Sequence, residues 1–422
     1  MPDQDTLDLD FVRSQFPGLS KGWTFFDNAG GSQILKPAVE RINTFLYDKN
    51  VQIGGSYDVS QAAAKALYEA RTAAMHLVNA ARPEEIVFGS STTALLQNLA
   101  RAMTSQLTPG DEIVVTIADH ESNIGPWDKL REAGMIIRTW PLNKDTYALD
   151  IADLEPLMSD RTKLVCVTHV SNILGSINPI KEIAAFVHAK GARICIDAVA
   201  YAPHRAVDVQ AFDVDYYVFS LYKTYGPHYA LMYGKYDHLL ELDTLYHYFY
   251  GKDKVPGKLE PGNPNYELAY SVCGIVDYLC ILGEKAGETG SVREKIVAAY
   301  GAITRQEDVL VDRLLAYLRA RNDCRIVGRS KSRDGTRIPT VSFTFDGRDS
   351  AEICKAMDAH HIAIRFGDFH SRRLAEYLDL KENNGMVRVS MVHYNTIEEI
   401  DRMTRALDEI LGSGAGLASS AA

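Results

Sequence analysis

At 422 residues, with 46% hydrophobic and 24% charged side chains, the chain has ordinary globular composition and enough length for a large core and two domains. A formal net charge of -10 without a long basic run excludes nucleic acid and anionic membrane as main partners. No uninterrupted apolar stretch reads as a membrane span, and the acidic, polar residues 1–10 do not read as a signal peptide.

Short apolar runs at 85–88, 112–116, 164–170, 192–198 and 216–221 read as strands buried on both faces. Helical patterns lie between them. Residues 61–79 are Ala-rich with Ala63, Leu67, Ala70, Ala74 and Leu77 at helical spacing, and 91–105 carries Leu95, Leu96, Leu99 and Met103 on one face. This alternation predicts an α/β fold with a mostly parallel sheet covered by helices on both sides. After about Gly283 the pattern becomes α+β: a long helix at 291–321, strands at 324–327, 339–345, 362–366 and 386–393, and helices at 350–360 and 396–411. The expected large domain spans 19–283. Residues 1–18 and 284–411 form the expected small domain, and the small, polar residues 412–422 an expected disordered tail. None of the six cysteines forms a CxxC pair, and Cys166 and Cys195 lie in apolar runs. Reduced core thiols in a cytoplasmic protein are expected, with no metal site.

Several polar residues sit just past strand ends, where α/β proteins bind ligands. Asp197 closes the strand at 192–198. Lys223 follows the next strand, ahead of Gly226-Pro227. Gly89-Ser90-Ser91-Thr92-Thr93 opens a helix after the strand at 85–88, and hydroxyls and free N–H groups there make an anion site. His120 and Asn172 follow two further strands, and Arg388 lies in the strand at 386–393. Each has a plain alternative alone: Asp197 a helix cap, Lys223 a solvated loop lysine, Thr92 and Thr93 an ordinary N-cap, His120 a structural histidine, Arg388 a surface ion pair. Together they supply the parts of a pyridoxal phosphate (PLP) site. These are an amine for the imine, an anion for the pyridinium, phosphate donors, a stacking ring, and a guanidinium fork for a substrate carboxylate.

The chain resembles the class V aminotransferase family of PLP enzymes, and within it the group II cysteine desulfurase-like branch, from about Phe25 to Leu411. The resemblance rests on Phe26-Asp27-Asn28-Ala29-Gly30, on residues 79–88, on Asp119-His120-Glu121-Ser122-Asn123, and on His169-Val170-Ser171-Asn172-Ile173-Leu174-Gly175. It rests further on Phe219-Ser220 with Lys223, on Glu260-Pro261-Gly262-Asn263, and on Val387-Arg388-Val389-Ser390 with Tyr394-Asn395-Thr396. It implies a type I PLP-dependent transferase fold with a seven-stranded type of sheet, and a homodimer with shared active sites. It also implies that Lys223 forms the imine, Asp197 holds the pyridinium, His120 stacks and Asn172 touches the ring oxygen. Thr92, Thr93, Ser220 and Tyr222 would hold phosphate, with Asn263 doing so from the partner chain. Arg388, Arg365, His370 and Asn28 would line the substrate pocket.

Three departures qualify the resemblance. Ala200 stands where the family has a Gln, Tyr222 where its desulfurases have a His, and His370 where they have the sulfur-accepting Cys, in Arg365-Phe366-Gly367-Asp368-Phe369-His370. The expected activity is that of an amino-acid-transforming enzyme working through a Cα carbanion. β-Elimination, as in C–S lysis of a cysteine derivative without persulfide relay, is expected ahead of transamination or epimerisation. A non-catalytic PLP-binding protein is the reading from another class.

Overall fold

The computed structural model describes residues 7–331 and 336–412. Of the expected tail at 412–422, residues 413–422 lie outside the described residues, as does the acidic start at 1–6.

Helices α1 (Lys36–Asp48) and α2 (Asp58–Val78) lead into a seven-stranded sheet. Its strands are β1 (Ile86–Gly89), β2 (Glu112–Thr116), β3 (Ile136–Trp140), β4 (Thr162–Thr168), β5 (Arg193–Asp197), β6 (Tyr216–Ser220) and β7 (Ala230–Gly234), in spatial order β1-β7-β6-β5-β4-β2-β3. Only β7 runs against its neighbours, β1 and β6. The sheet is mostly parallel, as expected. Successive residues alternate between two cores: Val165, Val167, Ile194, Ile196, Tyr217 and Phe219 face one side, and Leu164, Cys166, Cys195, Tyr216 and Val218 the other. That double burial explains why the strands read as unbroken apolar runs. β3 and β7 escaped the reading. β3 mixes exposed and buried positions. β7 ends in a tight antiparallel return from β6 rather than a crossover.

Helices α3 (Thr92–Met103), α4 (Ile180–Ala189) and α5 (Tyr266–Lys285) cover the sheet and its flank. α5 bears on the reading for membrane spans. It is long and apolar enough to cross a bilayer by composition, but 67% of its apolar window is buried inside the protein. It packs on α1, α2 and the long α6 (Val292–Arg319). Two glycines permit this approach. A Cβ on Gly274 would stand 2.5 Å from the Pro37 backbone, and one on Gly283 would stand 2.1 Å from the carbonyl oxygen of Lys295.

The C-terminal part builds a four-stranded antiparallel sheet from β8 (Cys324–Val327), β9 (Thr340–Phe345), β10 (Arg365–Gly367) and β11 (Met386–Ser390), ordered β10-β11-β9-β8. Helices α7 (Ser350–Asp358) and α8 (Ile397–Leu411) close its own core around Phe343, Val387, Val389 and Leu407. α8 starts on a capping box of Thr396 and Glu399, a motif that stabilises a helix start by about 1 kcal/mol. The strand expected at 362–366 is split. Ile362–Ala363 pairs with Thr24–Phe25, while β10 pairs with β11. This split stitches the N-terminal segment to the small sheet and brings Asp27 beside Ser390.

Candidate active site

The topology sends five strand ends to one edge. β1 delivers Ser91, Thr92 and Thr93 at the start of α3. β2 delivers His120, β4 Asn172, β5 Asp197, and β6 Ser220, Tyr222 and Lys223. All of them line one cleft of about 540 Å³. An outer cleft continues from it, shared by His120, Asn172, Tyr222 and Lys223 and walled by Arg365, Asp368, Phe369, His370 and Arg388.

Lys223 is buried in the chain's short turn after β6. Burial, with the Arg388 charge, pulls its amine down to about 8. Burial pushes Asp197 up to about 6, while the backbone N–H of Val199 donates to its Oδ1 at 2.9 Å. A buried carboxylate and a buried amine with weakened charges suit a site that receives a charged, planar ring. Thr92 and Ser220 share a hydroxyl contact of 2.8 Å, and Thr93 and Ser122 one of 2.7 Å. With the N-terminal N–H groups of α3 these hydroxyls form a cradle fit for phosphate.

The backbone N–H of Ser122 donates to His120 Nδ1 at 3.1 Å, so the ring proton sits on Nε2. Burial and the Lys223 charge pull His120 down to about 3. The ring is neutral, which suits stacking. Tyr222 stacks on His228 with centroids 4.7 Å apart. The Asn172 amide donates to Phe369 O at 2.9 Å and accepts from Ser371 Oγ at 2.8 Å, so it also anchors the loop that carries His370.

Arg388 is buried, and burial pulls it down to about 10, still charged at neutral pH. Asp27 holds one arm at 3.3 Å, Asn172 O the other at 3.3 Å, and the Phe369 ring lies 3.9 Å from the guanidinium carbon. Its Nε is buried without a partner. Asp27 also binds Arg365, whose side chain is 57% exposed, at 2.7 Å. His370 is exposed at the mouth, its ring 5.5 Å from that of His120. Phe369 and His370 both have left-handed backbone, φ 52° and 58°. Two consecutive residues of this kind store strain of order 1–3 kcal/mol each.

Two expected site residues lie elsewhere. Asn28 is buried, its amide nitrogen directed at Phe25 O, Ser390 O and Asn395 Oδ1, and its oxygen takes the Tyr394 hydroxyl. Both of its N–H donors are spent, so Asn28 ties these segments together, at the edge of a small cavity it shares with Lys223. Asn263 lines neither cleft of its own chain; its Oδ1 accepts from Tyr246 at 3.2 Å. The loop that bears it is fixed by Glu260, which pairs with Arg71 at 2.6 Å and accepts from Phe88 N at 2.7 Å. The reading missed Asp27, whose signal was its place beside Asn28, and Asp119. Asp119 is fully buried, and burial pushes it up to about 8. Asn123 donates to it at 2.7 Å and Thr168 N–H at 3.2 Å.

The sequence model of class-V aminotransferases matches residues 24–403. The chain belongs to the class-V aminotransferase family. It is similar to the aminotransferase-like protein FGM3 of Gibberella zeae, at 40% identity over 96% of this chain and 99% of the relative. The cysteine desulfurase-like protein ustD of Aspergillus flavus is 35% identical, over 97% and 92% of the two chains. Among solved structures, a cysteine desulfurase from Thermococcus onnurineus superposes with a TM-score of 0.84 at 26% identity, covering 96% of this chain and 98% of that one. The fold is accordingly the type I PLP fold, and the family member described here is a PLP-dependent enzyme.

Proposed function

We propose that the enzyme removes the Cα proton of an amino acid and expels a Cβ substituent, as in C–S lysis of a cysteine derivative, without passing sulfur to a protein thiol. One observation carries this reading. A buried amine, a buried carboxylate and a buried guanidinium converge on the cleft, and none of the cysteines lines it. At the position of the family's sulfur-accepting cysteine stands His370. Burial pushes the Cys354 thiol up to about 12, so it is a poor thiolate.

Bound PLP supplies an electron sink for the negative charge that develops at Cα. Lys223 would hold the cofactor, and its amine would take the Cα proton. With its basicity lowered to about 8, about half of the amine is uncharged at that pH. Asp197 faces the ring nitrogen and balances its charge. Thr92, Thr93, Ser220 and Tyr222 would hold the phosphate, His120 would stack on the ring, and Asn172 would reach its oxygen. Arg388 grips the substrate carboxylate with Arg365 at the rim, and His370 at the mouth gives a proton to the departing sulfur. Asn263 completes the phosphate site of a second copy, in a homodimer that works in the cytoplasm.

The test incubates PLP-loaded enzyme with L-cysteine and no added reductant. The reading expects pyruvate, ammonia and sulfide in equal amounts and no added sulfur in the intact protein mass. A protein-bound persulfide with alanine as product would overturn it. Keto-acid exchange without pyruvate would point to transamination, and loss of Cα chirality to epimerisation.

A further inference from the structure

Beside Lys223 lies a second, small cavity that the proposed chemistry does not use. Asn172, Val199, Ala200 and Lys223 line both it and the cofactor cleft. Ala200 is the residue that departs from the family's Gln, and its small side chain leaves the two spaces adjoining. The inner cavity offers about 10 Å³ to the centre of a water-sized occupant, at the lower limit for one ordered water.

Two polar groups on its wall lack an evident purpose. The Thr340 hydroxyl is buried, at 1% exposure, and has no hydrogen-bond partner. Such a buried orphan is destabilising unless something satisfies it. His204, at 4% exposure, is held through Nδ1 by Glu307 at 2.9 Å. Glu307 is an ion-pair partner of Arg205, at 3.1 Å, so it is a carboxylate. It accepts the Nδ1 proton, which in the neutral ring leaves a lone pair on Nε2. Arg205 also meets Asp308 at 3.1 Å, so this cluster sets two carboxylates against one guanidinium. The nearby Arg337 spends its donors on the carbonyls of Arg329, Ile338 and Thr340. His393 pairs with the Tyr278 hydroxyl at 2.7 Å.

We propose that this cavity holds one water, bound by Thr340, through which His204, positioned by Glu307, exchanges protons with Lys223. The step balances. Lys223 takes the Cα proton and becomes an ammonium. The water accepts one ammonium proton while giving one to His204 Nε2, and Glu307 balances the imidazolium. The return path delivers the proton again. This inference rests on the reading of Lys223 as the Cα base.

The test follows exchange of the Cα hydrogen of L-alanine in D2O by NMR, because alanine has no leaving group and reports the proton step alone. His204→Gln should slow exchange about 10-fold or more, leaving the alanine binding constant and the visible absorbance of the bound cofactor unchanged. Thr340→Val should also slow exchange, and should not raise Tm. Parental exchange rates in His204→Gln, or a Thr340→Val protein with raised Tm and parental exchange, would overturn the relay and mean that the cavity is dry. Loss of cofactor absorbance in His204→Gln would make the residue structural and overturn it as well. Absence of exchange in the parent protein would overturn the reading of Lys223 as base, and the relay with it.

Discussion

The two walls of the active cleft are built differently. The inner wall comes from strand ends of one sheet: Thr92, His120, Asn172, Asp197, Ser220 and Lys223 each follow a strand that aims them at the same edge. The outer wall is assembled across the chain. Asp27, from the N-terminal segment, joins Arg388 of β11 to Arg365 of β10, and Asn172 ties down the strained Phe369–His370 turn. The inner wall gains its geometry from local order, and the outer wall from a network in which each partner fixes another. In the proposed function, cofactor groups sit on the inner wall and substrate groups on the outer one.

This contrast can be broken by substitution. The largest effect is expected at the inner wall. Lys223→Ala should lower turnover by roughly 1000-fold or more, while phosphate-anchored cofactor is retained on gel filtration. On the outer wall, Arg388→Ala should weaken amino-acid binding by about 2–5 kcal/mol with the cofactor spectrum unchanged, and Arg388→Lys should fail too because it lacks the planar fork. Equal loss of cofactor and substrate would mean that the walls are not separable. Asn28→Ala should cost about 1–3 kcal/mol of stability, read as Tm, without a selective rise in KM. Phe369→Ala should weaken substrate binding by about 0.5–2 kcal/mol, the range of one cation–π contact.

A pH experiment sharpens the inner wall further. Burial raises the folded-state value of Asp119 to about 8, above its ordinary 3.8. A raised carboxyl contributes stability that is fully present below about pH 4 and is lost as pH climbs through 8. Asp119→Asn should therefore gain Tm relative to the parent as pH goes from 5 to 8.5. A constant difference across that range would mean that Asp119 is charged in the fold.

The inner wall was legible in the sequence because each residue follows an apolar run that ends in a turn. The parallel sheet was legible for the same reason, apart from β3 and β7. The outer wall was not. Nothing near Asp27 announces a partner at Arg388, since that contact exists only when β11 lies beside the N-terminal segment. Asn28 was misplaced for a related cause. The motif that holds it marks a structural junction with Ser390, Tyr394 and Asn395, and a polar residue in a motif looks the same whether it meets substrate or backbone. The apolar helix α5 was overlooked because Tyr, Ser, Gly and Asp interrupt its run, although most of its apolar window is core.

The account turns on Lys223. The direct measurement is borohydride reduction of the PLP-loaded protein followed by peptide mapping. The account predicts one cofactor label per chain, on the peptide bearing Lys223, and no label in Lys223→Ala. A label on another lysine, or an unlabelled protein that still turns over an amino acid, would contradict it.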